Sequence, residues 1–273
     1  MVSGNKFIIE SKAFVDQVPI RSIEIEGKAW HYLDNQNKDK PALLLLHGSR
    51  GTPHVFWNQF RALGADFRII SIHLPLSDNA KEICIDLSLF LQALSIEKVN
   101  ILGTSIGGYF AQWFTYYFPE KVAKLFISSS IIDGEGFSNP PHFFSKFILP
   151  ILPYALIKKG LKKEAQKSPA YRMLNQYIEA MIIDQLSSKE LSKRALAFHT
   201  NGVIPELNIP SGDIVIIDCV DEPYIDRQAQ QKVIEKYPGA KHYRLEKGHH
   251  FPYIIAAKEY NQILRREVKV PSP

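Results

Sequence analysis

The strongest chemical signal in the chain is Gly103-Thr104-Ser105-Ile106-Gly107, a serine with a glycine two residues to either side. A β-rich run, Val99-Asn100-Ile101-Leu102, leads into it, and an apolar segment without a breaker, Tyr109 to Phe118, follows. In the order strand, sharp turn, helix, a G-x-S-x-G forces the serine into a strained backbone conformation and lifts its hydroxyl above the sheet. The flanking glycines let strand and helix approach closely enough for that turn to exist. A serine hydroxyl attacks a carbonyl only when a base takes its proton and an acid orients the base. Further along, Asp218-Cys219-Val220-Asp221-Glu222-Pro223 and Gly248-His249-His250-Phe251-Pro252 each follow an expected strand, so acid and base candidates come after the serine in that order. An oxyanion needs two backbone N–H donors. The residue after the nucleophile, Ile106, supplies one, and Ser49 of the loop His47-Gly48-Ser49 supplies the other.

Elements able to position these residues are legible on both sides of the serine. Ile20–Ile25 and Ala29–Leu33 alternate apolar and polar around Gly27, as an edge strand pair does. Ala42–Leu46 is short and wholly apolar, the pattern of a parallel strand covered on both faces. Thr52-Pro53 reads as a helix N-cap with proline at the first position, and Phe56, Phe60 and Leu63 as that helix's buried stripe. A strand over 68–74 follows, then a helix marked by Ile83, Leu87, Phe90, Leu91 and Leu94, the central strand, a helix apolar nearly all round, and a strand over 122–128. The alternation gives a parallel sheet with helices on both faces. From 133 to 208 strands vanish. Helical segments replace them: Pro141–Gly160, a helix opened by Ser168-Pro169 with Met173, Leu174, Tyr177, Met181 and Ile182 inward, and a third opened by the capping box Ser187-x-x-Glu190 with Leu191, Ala195 and Phe198 inward. Such an insertion reads as a cap. The parallel pattern resumes over 209–273, so the expected organisation is a core at 1–132, a cap at 133–208 and the rest of the core at 209–273.

Bulk properties narrow the function classes. The chain has 273 residues, 45% of them hydrophobic, and a net charge of +5, ordinary values for a globular protein. Basic residues do not interleave with aromatics on any expected strand, which gives nucleic-acid binding no support. Two cysteines, Cys84 and Cys219, make no disulfide framework, and no apolar run reaches membrane-spanning length or forms a leader, so a cytoplasmic setting is expected. Neither H-E-x-x-H nor C-x-x-C is present, so no metal and no diffusible cofactor is expected.

With His47-Gly48, the serine motif, Asp221 and Gly248-His249-His250-Phe251-Pro252 together, the sequence resembles the α/β-hydrolase superfamily. Within it, the chain is most similar to the maspardin family. The segments that carry this are Val18-Pro19-Ile20, Leu102 to Gly108 with Ala111-Gln112, Ile216-Ile217-Asp218, Tyr237-Pro238-Gly239-Ala240 and Phe251-Pro252-Tyr253. The superfamily implies an α/β fold with a mostly parallel central sheet and a helical cap inserted between sheet strands. It implies His250, directly before Phe-Pro, as the base, with His249 in the usual glycine position as second choice. It implies Asp221 as the acid, with Asp133 as the other position where relatives carry it. Asp218 reads as a buried hydrogen-bonding aspartate, Cys219 as a small buried residue and Arg50 as a solvated loop arginine. The serine argues against the branches that use an aspartate nucleophile. Maspardin-like proteins keep the serine elbow but carry a non-histidine residue before Phe-Pro, which implies a non-catalytic adaptor; His250 stands at that position here and implies an enzyme.

One further stretch bears on partners. Phe143-Phe144-Ser145-Lys146-Phe147-Ile148-Leu149-Pro150-Ile151-Leu152 is followed by Lys158, Lys159, Lys162, Lys163 and Lys167. It reads as a lid whose apolar face covers the serine pocket and whose lysines are solvated; the other reading is docking on an anionic membrane surface. The expected function is a serine esterase or lipase-like hydrolase working through an acyl-enzyme on a small ester with an apolar part. The alternatives are an adaptor for a membrane-protein tail or vesicle-trafficking partner, and a ligand-binding receptor on the same fold.

Overall fold

The computed structural model describes residues 5–134, 142–165, 171–181 and 186–269. Eight strands form one sheet: β1 (Arg21–Ile25), β2 (Lys28–Asp34), β3 (Ala42–Leu46), β4 (Arg68–Ile72), β5 (Val99–Thr104), β6 (Val122–Ser128), β7 (Ile214–Cys219) and β8 (Lys241–Leu245), in the spatial order β1-β2-β4-β3-β5-β6-β7-β8. The hairpin β1–β2 is antiparallel and joins β4 antiparallel, and every remaining pair is parallel. The chain therefore has the α/β-hydrolase architecture. Strands β3, β4, β5, β6 and β7 are buried along their whole length, as an apolar strand covered on both faces requires.

Helices cover the two faces. On one, α3 (Ala80–Ala93), α4 (Ile106–Tyr117) and α8 (Arg227–Lys236) pack through Phe90, Tyr109, Phe114 and Val233. On the other lie α1 (Lys6–Gln17), α2 (Trp57–Leu63), α6 (Arg172–Met181), α9 (Pro252–Ile255) and α10 (Ala257–Glu267). Proline at 53 opens a 3-10 turn, Pro53–Phe56, before α2, and the Thr52 side chain makes no capping hydrogen bond. The expected single C-terminal helix is broken at Ala256 into α9 and α10.

Between β6 and β7 there is no strand among the described residues. A π turn at Phe144–Ile148, α5 (Tyr154–Ala165), α6 and α7 (Ser188–Asn201) fill this stretch. The capping box forms as expected: Ser187 Oγ accepts from Glu190 N, and the Glu190 carboxylate accepts from Ser187 N. Along α6 the buried stripe is Leu174, Tyr177, Ile178 and Met181, whereas Met173 faces solvent at 43% exposure. Ser168, Pro169 and Ile182 lie outside the described residues, as does Lys167. The N-terminal helix α1 is absent from the sequence expectations. Its Ile8 and Phe14 are buried, Asn5 caps it by accepting from Phe7 N, and the Asn5 amide donates to Met173 O and Gln176 Oε1 at 2.7 and 3.1 Å. Its partner α6 lies far away in sequence.

Within 143–152 the apolar side chains divide between solvent and the interior. Phe143, Phe147 and Ile151 are 65%, 52% and 77% exposed and face solvent, whereas Leu149 is buried and Phe144, Ile148 and Leu152 are half-buried.

Candidate active site

The turn between β5 and α4 holds Ser105 at φ 54° and ψ −125°, a left-handed conformation that costs a non-glycine residue roughly 1–3 kcal/mol. Backbone bonds hold it there. Ser105 N donates to Ser128 O and Ser129 O at 3.0 and 3.1 Å, and Ser105 O accepts from Gly108 N, Tyr109 N and Ser130 Oγ. The flanking glycines are there for contact, not for torsion. A Cβ on Gly103 would lie 2.1 Å from Gly107 O, and one on Gly107 would lie 2.2 Å from Leu46 O. Strand β5, helix α4 and the end of β3 thus meet backbone to backbone.

That contact brings the loop after β3 to the serine. A Cβ on Gly48 would be 3.3 Å from Ser105 Cβ and 3.9 Å from its Oγ. His47, wholly buried, organises this loop. Leu74 N donates to its Nε2 at 3.2 Å, which leaves the proton on Nδ1, and Nδ1 donates to Gly48 O at 2.8 Å. Burial, with Arg194 and His73 nearby, holds the His47 pKa well below its ordinary value, so the ring is neutral. Gly48 O also accepts from Gly51 N at 2.9 Å. Because a trans peptide points its C=O and N–H in opposite directions, turning Gly48 O onto His47 turns Ser49 N–H the other way. Ile106 N, the first of α4, is one of the helix N–H groups with no intrahelical acceptor.

A buried charge from α7 clamps the same loop. Arg194, 3% exposed, donates through Nη1 to Ser49 O at 2.6 Å and Gly51 O at 3.4 Å, and through Nη2 to Glu190 Oε1 at 3.4 Å. Burial lowers the guanidinium pKa to about 10 against the pull of Glu190. Burial alone would raise Glu190, but bonds from His73 and Ser187 bring it to about 2. Helix α7 is therefore tied to the loop beside the serine by hydrogen bonds from a buried guanidinium, which Glu190 balances one turn earlier on the same helix. Arg50 itself is half-buried.

At the far side, the carboxylate on the histidine is one residue from the expected one. His250 Nδ1 donates to Glu222, with both carboxylate oxygens at 2.9 Å, and the Glu222 side chain is 1% exposed. Asp221 is the correction. Its Oδ1 accepts from Gly248 N and His249 N at 3.0 and 2.8 Å, and its Oδ2 from Tyr171 Oη, so it is spent on fixing the backbone of the histidine loop. Successive side chains in the turn after β7 diverge, and the one-residue choice could not be read from spacing. Asp133 pairs with Lys232 of α8 at 3.3 Å. Asp218 behaves as expected: burial would raise its pKa, but bonds from Arg244 and His242 lower it. Cys219 packs beneath the loop, where a Cβ on Gly248 would sit 2.4 Å from its Sγ.

His249 and His250 are both buried but differ in backbone conformation and in hydrogen bonding. His249 has φ 53° and is 2% exposed, its ring lies 4.5 Å from Tyr171 and 5.5 Å from Tyr224, and neither ring nitrogen has a hydrogen-bond partner. Burial, reinforced by His250, lowers its pKa from 6.5 to about 4. The unfolded chain then takes up a proton first as pH falls, so this contribution to stability is complete above pH 6.5 and is lost on the way to pH 4. Over that window it amounts to about 3 kcal/mol. Chemical denaturation at pH 7 and pH 4.5 will show a smaller acid loss for His249→Gly than for wild type; equal losses would mean that the ring is solvated. After His250, α9 returns to the elbow: Tyr253, buried so that its phenol is pushed well above its ordinary pKa, faces the Thr104 side chain beside the serine.

The other histidines are dispersed: His31 on Ser22, His142 against His199, His242 on Asp218. Among the described residues no group of three His, Cys, Asp or Glu side chains could hold a metal.

The family profile for the alpha/beta hydrolase fold matches residues 41–257. Maspardin of Danio rerio is 27% identical over 258 residues, covering 91% of this chain and 82% of that protein, and maspardin of Homo sapiens is 26% identical over 257 residues with the same coverage. The 2-hydroxy-6-oxo-6-phenylhexa-2,4-dienoate hydrolase of Comamonas testosteroni is 26% identical over 174 residues, 59% of this chain and 56% of that one. Among solved structures, a hydrolase from Pseudomonas aeruginosa superposes with a TM-score of 0.76 at 15% identity over 92% of this chain and 98% of that one. A thermophilic esterase from Thermogutta terrifontis gives 0.75 at 14% identity, over 91% and 97%. At those identities the structural matches speak for the fold.

Proposed function

Since the chain belongs to the α/β-hydrolase fold family, we propose that it is a serine hydrolase acting on carboxylic esters, with Ser105 as nucleophile, His250 as base and Glu222 as the acid. The observation that carries this reading is the buried Glu222 carboxylate on His250 Nδ1. A carboxylate there fixes the tautomer with Nε2 free to accept a proton, the arrangement a general base needs. In the reaction, Ser105 Oγ bonds to the ester carbonyl carbon while His250 Nε2 takes its proton. Ser49 and Ile106 N–H groups stabilise the oxyanion. The tetrahedral intermediate expels the alcohol, which leaves with the proton held by His250. Water then adds to the acyl-enzyme by the same route and releases the acid. No cofactor enters. The helices between β6 and β7 serve as the cap, and Arg194 carries their position to the Ser49 peptide. The free buried cysteines Cys84 and Cys219 suit a cytoplasmic setting.

Intact-mass labelling with a fluorophosphonate tests the proposal. Wild type takes one adduct, and Ser105→Ala takes none. A folded wild-type protein that remains unlabelled overturns the hydrolase reading and leaves the adaptor, which the similarity to maspardin then favours.

A further inference from the structure

The π turn and helix α5, which follows it in the chain, both carry apolar side chains on their solvent side. Along 142–151 exposure repeats every fourth residue: His142 and Phe143, Lys146 and Phe147, Pro150 and Ile151 face solvent, while Ser145 and Leu149 between them are buried. Phe143 and Phe147 lie 5.3 Å apart between ring centroids, with Lys146 Nζ 5.5 Å above the Phe147 ring. Hydrogen bonds from α7 pin this segment from behind, Ser192 Oγ to Ser145 O at 2.6 Å and Ser188 Oγ to Leu152 O at 2.9 Å. The outward aromatics are thus the result of a fixed packing and not of a loose loop. On α5 the exposed side carries Leu156, Lys159 and Lys163, again at helical spacing. Residues 142–163 hold five lysines and no aspartate or glutamate, and Glu164 follows within α5.

We propose that this face docks on an anionic lipid bilayer, with Phe143, Phe147, Ile151 and Leu156 entering the interfacial region and Lys146, Lys159 and Lys163 meeting lipid phosphates and carboxylates. Exposed aromatic and branched apolar side chains side by side are disfavoured in water and favoured at a headgroup boundary. Lysines beside them add attraction to an anionic leaflet that falls off within a Debye length. Charge selects this occupant: a second copy of the chain would bring the same lysines face to face, and like charges oppose that pairing. No described helix is long and apolar enough to span a membrane, so contact of this kind is peripheral. The inference goes beyond the hydrolase reading and does not depend on it.

Flotation of the full chain with phosphatidylcholine vesicles, with and without phosphatidylserine, is the test. Wild type binds the phosphatidylserine vesicles, and added salt weakens the binding. Phe147→Glu/Ile151→Glu and Lys159→Ala/Lys163→Ala each weaken it by about tenfold or more. Both pairs are exposed and outside the site, so melting temperature and fluorophosphonate labelling stay at wild-type values and report folding independently. Three results overturn the proposal: no binding by folded wild type, undiminished binding by both double variants, or a concentration-dependent dimer in sedimentation that Phe147→Glu/Ile151→Glu abolishes.

Discussion

Glu222→Gln lowers kcat/KM for an activated ester by about 10³–10⁴-fold, while Asp221→Asn, one residue away, stays within about tenfold of wild type. The difference follows from what each carboxylate touches. Glu222 accepts the Nδ1 proton of His250 through both oxygens, and an amide there cannot stabilise the imidazolium that forms as Ser105 is deprotonated. The amide's NH₂ also competes to hold the ring in the other tautomer, with the proton on the nitrogen that must accept. Asp221 accepts from two backbone N–H groups and from the Tyr171 hydroxyl, and asparagine keeps an acceptor for the backbone pair. Its loss loosens the histidine loop without removing the acid. Ester hydrolysis, paired with the rate of fluorophosphonate labelling, separates the two. A large loss at Asp221→Asn with little at Glu222→Gln would hand the acid back to Asp221.

That one-residue displacement marks where the sequence stops being legible. The parallel strands could be read because a strand buried on both faces must be apolar throughout, and Ala42–Leu46 and Val122–Ser128 fall on the strands as expected. The serine turn could be read because three backbones meeting there demand glycine at fixed positions. Local chemistry of this kind leaves its mark in neighbouring residues. The rest is set by partners remote in sequence. Helix α1 is held by α6, Arg194 reaches the Ser49 carbonyl across 145 residues, and nothing near either end announces the contact. The direction of the apolar side chains at 143–151 is likewise decided from α7, through Ser188 and Ser192, so the segment's composition was compatible with facing inward or outward. Asp221 and Glu222 fall in between: the turn is local, but which side chain meets His250 depends on the β8 loop that folds back over it.

Gly107→Ala gives the second large effect, and on stability as well as chemistry. Its new methyl would sit 2.2 Å from Leu46 O and 2.7 Å from His47 O, both backbone atoms at the end of β3. No rotamer relieves such a clash, so helix α4 and the His47 loop must move apart. The cost is about 3 kcal/mol or more, and the melting temperature falls by roughly 6–12 °C. Moving apart also separates Ile106 N–H from Ser49 N–H, the two donors proposed for the oxyanion, so the labelling of Ser105 collapses even in the fraction that remains folded. Gly160→Ala is the matched control. That glycine lies within α5, and a Cβ there would meet nothing within 4 Å. The same methyl then raises stability by about 0.5–1 kcal/mol through helix propensity and leaves labelling alone. Opposite signs from one chemical change would tie the elbow's geometry to the approach of three backbones. Wild-type melting and labelling in Gly107→Ala would show instead that the approach is slack, and that the strain at Ser105 is held by its own hydrogen bonds to Ser128 and Ser129.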